Sequence, residues 1–252
     1  MYKISEEIQF IGKQIIFLPK CRSTNDIATE MSKQGLLSDG SIIITDHQYA
    51  GKGQRGNIWL SKADENLTFS VVLKPSFLLP SNNFYLNIIT SLSIIEGLNM
   101  MDLLDLKIKW PNDIMYENRK LAGILIENSI QGGKINNSII GIGLNTNQTD
   151  FEESLLATSL KLILNKQMDL NDVLNEIVIQ FEKSYFQLMN KNHHHLRDRY
   201  MSKLYWINEK HTFKSSKTFH GVITGVDDTG RLEVKTDGSI QKFNFKEIMY
   251  IA

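Results

Sequence analysis

Apolar and polar positions along this chain predict a sheet-rich core flanked by a few helices. The densest signal is KWPNDIMYENRKLAGILIE, residues 109–127. A mixed apolar and polar stretch at 106–110 runs into Pro111, which has no N–H to continue a ladder. A polar turn follows at 117–119, and 121–126 is almost wholly apolar. This pattern predicts a central β-hairpin of two buried strands, gathering Lys109, Asn112, Asp113 and Lys120 near one end.

Elsewhere, a strand is expected within 8–18, ended by Pro19. Ser23, Thr24, Asn25 and Asp26 have the short polar side chains that start helices, and Gly35 is a natural stop after about Lys33. Residues 41–45 and 67–74 read as strands. Leu86, Ile89, Leu92 and Ile95 form a core-facing stripe on a helix over 84–101. Gly132-Gly133 predicts a tight turn before a buried strand at 137–144. Helices follow at 155–164, opened by Ser154, and at 173–189, opened by Asn171 or Asp172. From His211 the texture changes to short segments separated by Asp227-Asp228-Thr229-Gly230 and Asp237-Gly238, which predicts a small antiparallel, barrel-like module. The expected organisation is a larger unit over 1–208 and a small one over 209–252.

Composition narrows the function. With 252 residues, 42% of them hydrophobic, the chain can bury one good core and a small extra module. Its 28 basic and 28 acidic side chains cancel, which argues against a dedicated nucleic-acid binder. Cys21 is the only cysteine, so neither an internal disulfide nor a thiolate metal cage can form, which fits a reducing compartment. No apolar run approaches a membrane span and the N-terminal stretch lacks a signal-peptide pattern, so the expected location is the cytoplasm.

Candidate chemistry sits in loops. Gly51, Gly53 and Gly56 with Lys52 and Arg55 between them could crowd backbone amides and charge around an anion, or form only a mobile loop. The spacing is neither the dinucleotide fingerprint nor a Walker loop. Trp59 reads as an anchor for the loop's end or as a cover for a ligand. Gln48 offers donor and acceptor to a neutral polar ligand, whereas His47 beside it reads as incidental. Asn145 and Asn147 leave the strand ending GIGLNTN, where Gly141 and Gly143 permit close approach. The run His193-His194-His195 reads as a solvated surface, since neighbouring helix residues point about 100° apart. Two lysines, an amide and one carboxylate at the hairpin end suit a phosphate-containing adduct better than they suit packing.

CRSTNDIA, AGKGQRGNIWLS, KWPNDIMYENRKLAGILIE and GIGLNTN together resemble the biotin protein ligases, and GVITGVDDTGRLEVKTDG is similar to their small appended domain. The resemblance covers nearly the whole chain, and the second and third stretches carry most of its specificity. It implies an α+β catalytic domain with a central mixed sheet flanked by helices, class II synthetase-like, plus a small C-terminal SH3-like β-barrel. It is to the short form, without an N-terminal DNA-binding domain.

The implied reaction activates biotin with ATP and Mg²⁺ to biotinyl-5'-AMP, then transfers biotin to a lysine of a biotin carboxyl carrier protein or domain. Nucleic acid and membrane are not implied partners, and an open hairpin edge would suit a homodimer. The resemblance implies Lys120 as the bridge between carboxylate and α-phosphate, with Lys109, Lys52 and Arg55 in support. Asp113 would orient the carrier amine or take its proton. Ser23, Thr24, Asn25 and Gln48 would hold the biotin head, and Gly123 would leave room beside it. Gly51, Lys52, Gly53, Gln54, Arg55, Gly56, Asn57 and Trp59 would fold over the adenylate, with Asn112 and Asn145 near the nucleotide, phosphates or metal. No residue is implied as a dedicated metal ligand.

One departure stands out. The bacterial loop pattern carries a second arginine where this chain has Gln54, which implies weaker retention of the adenylate unless Arg55 replaces it. Asn57 in place of a later arginine matches the eukaryotic type. Lipoate–protein ligase is the rival within the same fold, although the KWPND and KLAGIL stretches favour biotin. A non-catalytic regulator holding biotinyl-AMP is the rival from another class, and Lys120 with Asp113 speaks against it.

Overall fold

The structure is a computed structural model describing residues 2–251, with the side chains of Arg55 and Ser154 outside the described set. β1 (Ile15–Cys21) leads into α1 (Thr24–Lys33), where Ser23 in extended backbone accepts from the Asp26 amide. β2 (Ser41–Gln48) then lies parallel to β1. The first strand runs through Pro19 instead of ending before it. It is an outer strand of its sheet, where a proline need not donate to a neighbour.

β3 (Leu67–Leu73) is buried at every position and antiparallel to β2. After α2 (Phe84–Asn99) come β4 (Leu106–Lys109), β5 (Asp113–Tyr116) and β6 (Arg119–Gln131). The 106–126 stretch is therefore a three-strand meander and not the expected two-strand hairpin. Two turns explain it: Lys109 pairs with Asp113 across 110–112, and Glu117, at φ 51°, turns the chain again before Arg119. β7 (Lys134–Leu144) returns after Gly132 and Gly133, whose positive φ angles of 57° and 75° suit a hairpin turn.

These strands form one mixed sheet in the order β1-β2-β3-β7-β6-β5-β4. α1 covers one face over Ile43, Val72 and Ile139.

The expected helix at 155–164 is divided. A 3₁₀ turn at Glu153–Leu155 ends at Leu156, whose left-handed φ of 44° breaks the spiral, and Ala157 bridges to Lys120. Only then does α3 (Leu160–Leu164) begin, capped by Ser159. The cap expected at Ser154 falls on a side chain outside the described set. α4 (Leu170–Met189) starts three residues earlier than expected because Asp169 accepts from the Asn171 and Asp172 amides. α2, α4 and α5 (His193–Ser202) pack in the main core.

The C-terminal strands are β8 (Lys210–Lys214), β9 (Thr218–Val226), β10 (Leu232–Thr236), β11 (Ser239–Phe243) and β12 (Met249–Ile251). They form an open sheet, β11-β10-β9-β8-β12, so the expected SH3-like barrel is not formed. Closure would need β11 to pair with β12. Instead the chain turns at Asn244, whose amide donates to Glu247 at 2.6 Å, and the three residues of β12 pair with β8. Phe213, Ile223, Leu232 and Val234 of this sheet belong to the same hydrophobic cluster as Leu106, Ile108 and Trp110.

Candidate active site

One cavity of about 620 Å³ opens beside the β4–β6 meander. Ser23, Thr24 and Asn25 reach it from the start of α1, and Gln48 from the end of β2. All four are buried. The Thr24 amide donates to Gln48 Oε1 at 2.9 Å, and the Ser70 hydroxyl lies 2.7 Å from both Thr24 Oγ1 and Asn25 Oδ1. Asn25 Nδ2 donates to Glu127 Oε2 at 2.8 Å. A Cβ on Gly141 would stand 2.3 Å from Asn25 Oδ1, so only glycine lets α1 sit this close to β7. The result is an uncharged polar wall whose groups both donate and accept.

The charged part of the cavity comes from the meander. Lys120 Nζ lies 2.7 Å from Asp113 Oδ1, and both side chains are about a third exposed or less. The lysine's backbone is fixed from two sides: its amide donates to Leu156 O, and its carbonyl accepts from the Thr158 amide. Lys109 ends β4 opposite Asp113. Burial pulls its ammonium pKa below the ordinary lysine range, with Lys120 acting in the same direction and Asp113 opposing. Asn112 is fixed by donating from Nδ2 to Ile124 O at 2.6 Å.

The glycine loop forms the remaining side. Lys52, Gly53, Gln54, Asn57 and Trp59 line the cavity. Lys52 Nζ lies 2.5 Å from Asp26 Oδ1. The Trp59 indole lies against the sheet, where a Cβ on Gly143 would meet it at 2.3 Å and one on Gly123 at 3.1 Å. Lys120 Nζ is 5.5 Å from the centroid of its ring.

The cavity therefore brings together Lys120, Asp113, Lys109, Ser23, Thr24, Asn25, Gln48, Lys52, Gly53, Gln54, Asn57, Trp59, Asn112 and Gly123. Gly51 lies behind it, its carbonyl accepting from the Trp59 amide, and Gly56 is on the exposed side of the loop. Arg55 falls on a side chain outside the described set. Asn145 is also absent from the lining and donates to Thr158 O at 3.0 Å, bracing the segment beside Lys120. Ser70 and Glu127, which hold Thr24 and Asn25 from outside the lining, are not among the residues the sequence singles out, although a serine inside LTFSVVL and a carboxylate closing an apolar run are legible signals. Phe245, Ile248, Met249 and Tyr250 also line the cavity and carry no local signal at all. Among the described residues, no group of three or more histidine, cysteine or acidic side chains could hold a metal ion. His193 instead opens α5 and stacks on Tyr85 at 4.4 Å.

An α+β sheet whose glycine-rich basic loop faces a lysine–aspartate pair and a buried neutral polar wall is the frame of a protein ligase. A family described as Biotin/lipoate A/B protein ligase matches residues 17–145, and a Biotin protein ligase C terminal domain matches 212–248. The chain belongs to the biotin/lipoate A/B protein ligase family. It is 29% identical to the bifunctional ligase/repressor BirA of Bacillus subtilis strain 168, over 98% of this chain and 79% of that protein. A biotin–acetyl-CoA-carboxylase ligase of Paracoccus denitrificans is 24% identical, over 92% and 99% of the two chains. Among solved structures, the biotin protein ligase from Aquifex aeolicus in complex with biotin and ATP is similar, with a TM-score of 0.80 and 26% identity, over 94% of this chain and 98% of that one.

Proposed function

We propose that the protein activates biotin with ATP, releasing pyrophosphate, and transfers it from biotinyl-5'-AMP to a lysine of a biotin carboxyl carrier protein. The observation that carries this reading is the meeting of a neutral polar wall and a lysine–aspartate group in one cavity. A ureido ring needs both donors and acceptors, which Ser23, Thr24, Asn25 and Gln48 supply without charge. A dithiolane ring brings no donor and only weak acceptors to those groups, whereas a ureido ring can exchange hydrogen bonds with them, so the wall favours biotin over lipoate.

A carboxylate is a poor electrophile, and its attack on the α-phosphorus of ATP brings two anions together. Lys120 stands where it can neutralise both, with Lys109 and Lys52 in support. The loop 51–57 and Trp59 shield the mixed anhydride from water. In the second step Asp113 orients the incoming amine or takes its proton, a task for which its carboxylate must first leave Lys120.

Mg²⁺ supplies further positive charge at the nucleotide phosphates when bound. Among the described residues no cluster of acidic, histidine or cysteine side chains would hold such an ion by itself, which fits a metal that would be carried largely by those phosphates.

The balanced charge speaks for a protein partner over nucleic acid or membrane. No helix among the described residues is long and apolar enough to cross a membrane. The one cysteine is free and buried, which fits the reducing setting of a cytoplasm. β5 pairs β6 only as far as Gly123, leaving an edge that a second copy can pair with.

The test supplies purified protein with ATP, Mg²⁺ and a carrier domain, with either biotin or lipoate. Labelling of the carrier by biotin alone is the expected result. Labelling by lipoate alone, or adenylate formed and held without transfer, would overturn the reading.

A further inference from the structure

We infer that Tyr250, contributed by the C-terminal sheet, is a positioning residue that seats the Lys109 ammonium in the cleft. Lys109 Nζ lies 5.2 Å from the centroid of the Tyr250 ring, and both residues line the cavity beside the meander. Among the described residues Lys109 forms no ion pair. The nearby Asp113 carboxylate is engaged by Lys120 at 2.7 Å. Lys109 is thus a partly buried cation beside a like charge. Asp113, already engaged by Lys120, offsets part of that cost, and the electron-rich ring face adds a contact that belongs to Lys109 alone.

The ring is held for this task. Tyr250 pairs with Phe213 across β12 and β8, and the two rings meet edge-on at 5.5 Å. Trp206 packs at 5.3 Å and Tyr205 at 6.3 Å. The Tyr250 hydroxyl is buried without a hydrogen-bond partner. No protein hydrogen bond ties its oxygen to Lys109, so the aromatic face is what the ammonium meets. By this contact the C-terminal sheet completes the charged side of the cavity, although its own sequence carries no catalytic pattern.

The inference rests on the proposed role of Lys109 at the reacting phosphate, so the test separates the two. Biotin-dependent ATP–pyrophosphate exchange is measured on the full chain carrying Tyr250→Phe, Tyr250→Leu, Lys109→Ala or the Leu and Ala changes together. Tyr250→Phe is expected to keep the rate. Tyr250→Leu should lower kcat about tenfold with little change in the KM for biotin, and should cost nothing further once Lys109 is alanine. If the leucine variant fails to fold, fluorinated phenylalanines at 250 keep the shape while draining the ring face, and the rate should fall with each added fluorine. An unchanged rate through that series would overturn the inference, as would an equal loss from Tyr250→Leu with and without Lys109. Absence of exchange in the unaltered protein would overturn the ligase reading itself.

Discussion

Gly141 decides how closely α1 can approach the sheet, and through it the position of Asn25. An added Cβ there would stand 2.3 Å from Asn25 Oδ1 and force the amide off Ser70 and Glu127. Gly141→Ala should weaken biotin binding by about tenfold or more, the scale of one buried hydrogen bond lost. Calorimetric titration checks it, and unchanged affinity would show that Asn25 does not face biotin. Gln54 is a second single-residue matter. It sits in the 3₁₀ turn of the loop and lines the cavity where the family pattern has arginine. Gln54→Arg should reduce the biotinyl-AMP released to solvent, and equal release from both proteins would remove the idea. Two lysines, an amide and a carboxylate at one end of the meander are legible from residue type, whereas Ser23, Thr24 and Asn25 read locally as a helix cap and enter the candidate site through the family resemblance. Tyr250 is legible in neither way, because an aromatic residue at a strand end is ordinary until the lysine it meets is known.

Single turns hold the elements of the site in place. Between β9 and β10, Asp227 accepts from the amides of Thr229 and Arg231, from the Thr229 hydroxyl and from Arg231 Nε. The same turn presents Gly230 O to Trp110 Nε1 at 2.9 Å, tying it to the β4–β5 turn. Burial alone would raise the Asp227 pKa, but the hydrogen bonds from Thr229 and Arg231 outweigh it and leave the carboxyl well below the usual range. A folded-state pKa below the unfolded one adds stability that is present above about pH 4 and lost as pH falls further. Asp227→Asn should therefore cost about 2 kcal/mol near neutrality, with the gap to the unaltered protein closing in acid. Melting curves from pH 7 to pH 3 measure this, and a gap independent of pH would contradict it. At this scale the sequence pattern located strands and helices well and their ends poorly. Pro19 reads as a stop in the sequence because its place on an outer strand is a property of the sheet. The 155–164 segment reads as one helix in the sequence because its pairing with Lys120 is a long-range contact that no local pattern carries.

Across the whole molecule, the division near residue 208 is best proposed as a change of sheet within one core. Phe213, Ile223, Leu232 and Val234 share a hydrophobic cluster with Leu106, Ile108 and Trp110. The link between the sheets also runs beside β4, with the Ile108 amide donating to Lys203 O and the Tyr205 amide to Ile108 O. Calorimetry of the full chain should show a single unfolding transition, and two separated ones would contradict a shared core. The barrel expected from short strands and turns is an open sheet because closure depends on how two edges meet, which strand spacing does not encode. The charged part of the cavity depends on all these pieces, and its centre is Lys120. The most direct measurement is biotin-dependent ATP–pyrophosphate exchange by the unaltered chain and by Lys120→Ala. Exchange that falls by about a hundredfold or more in the variant is the expected result; exchange at an unchanged rate would contradict the account.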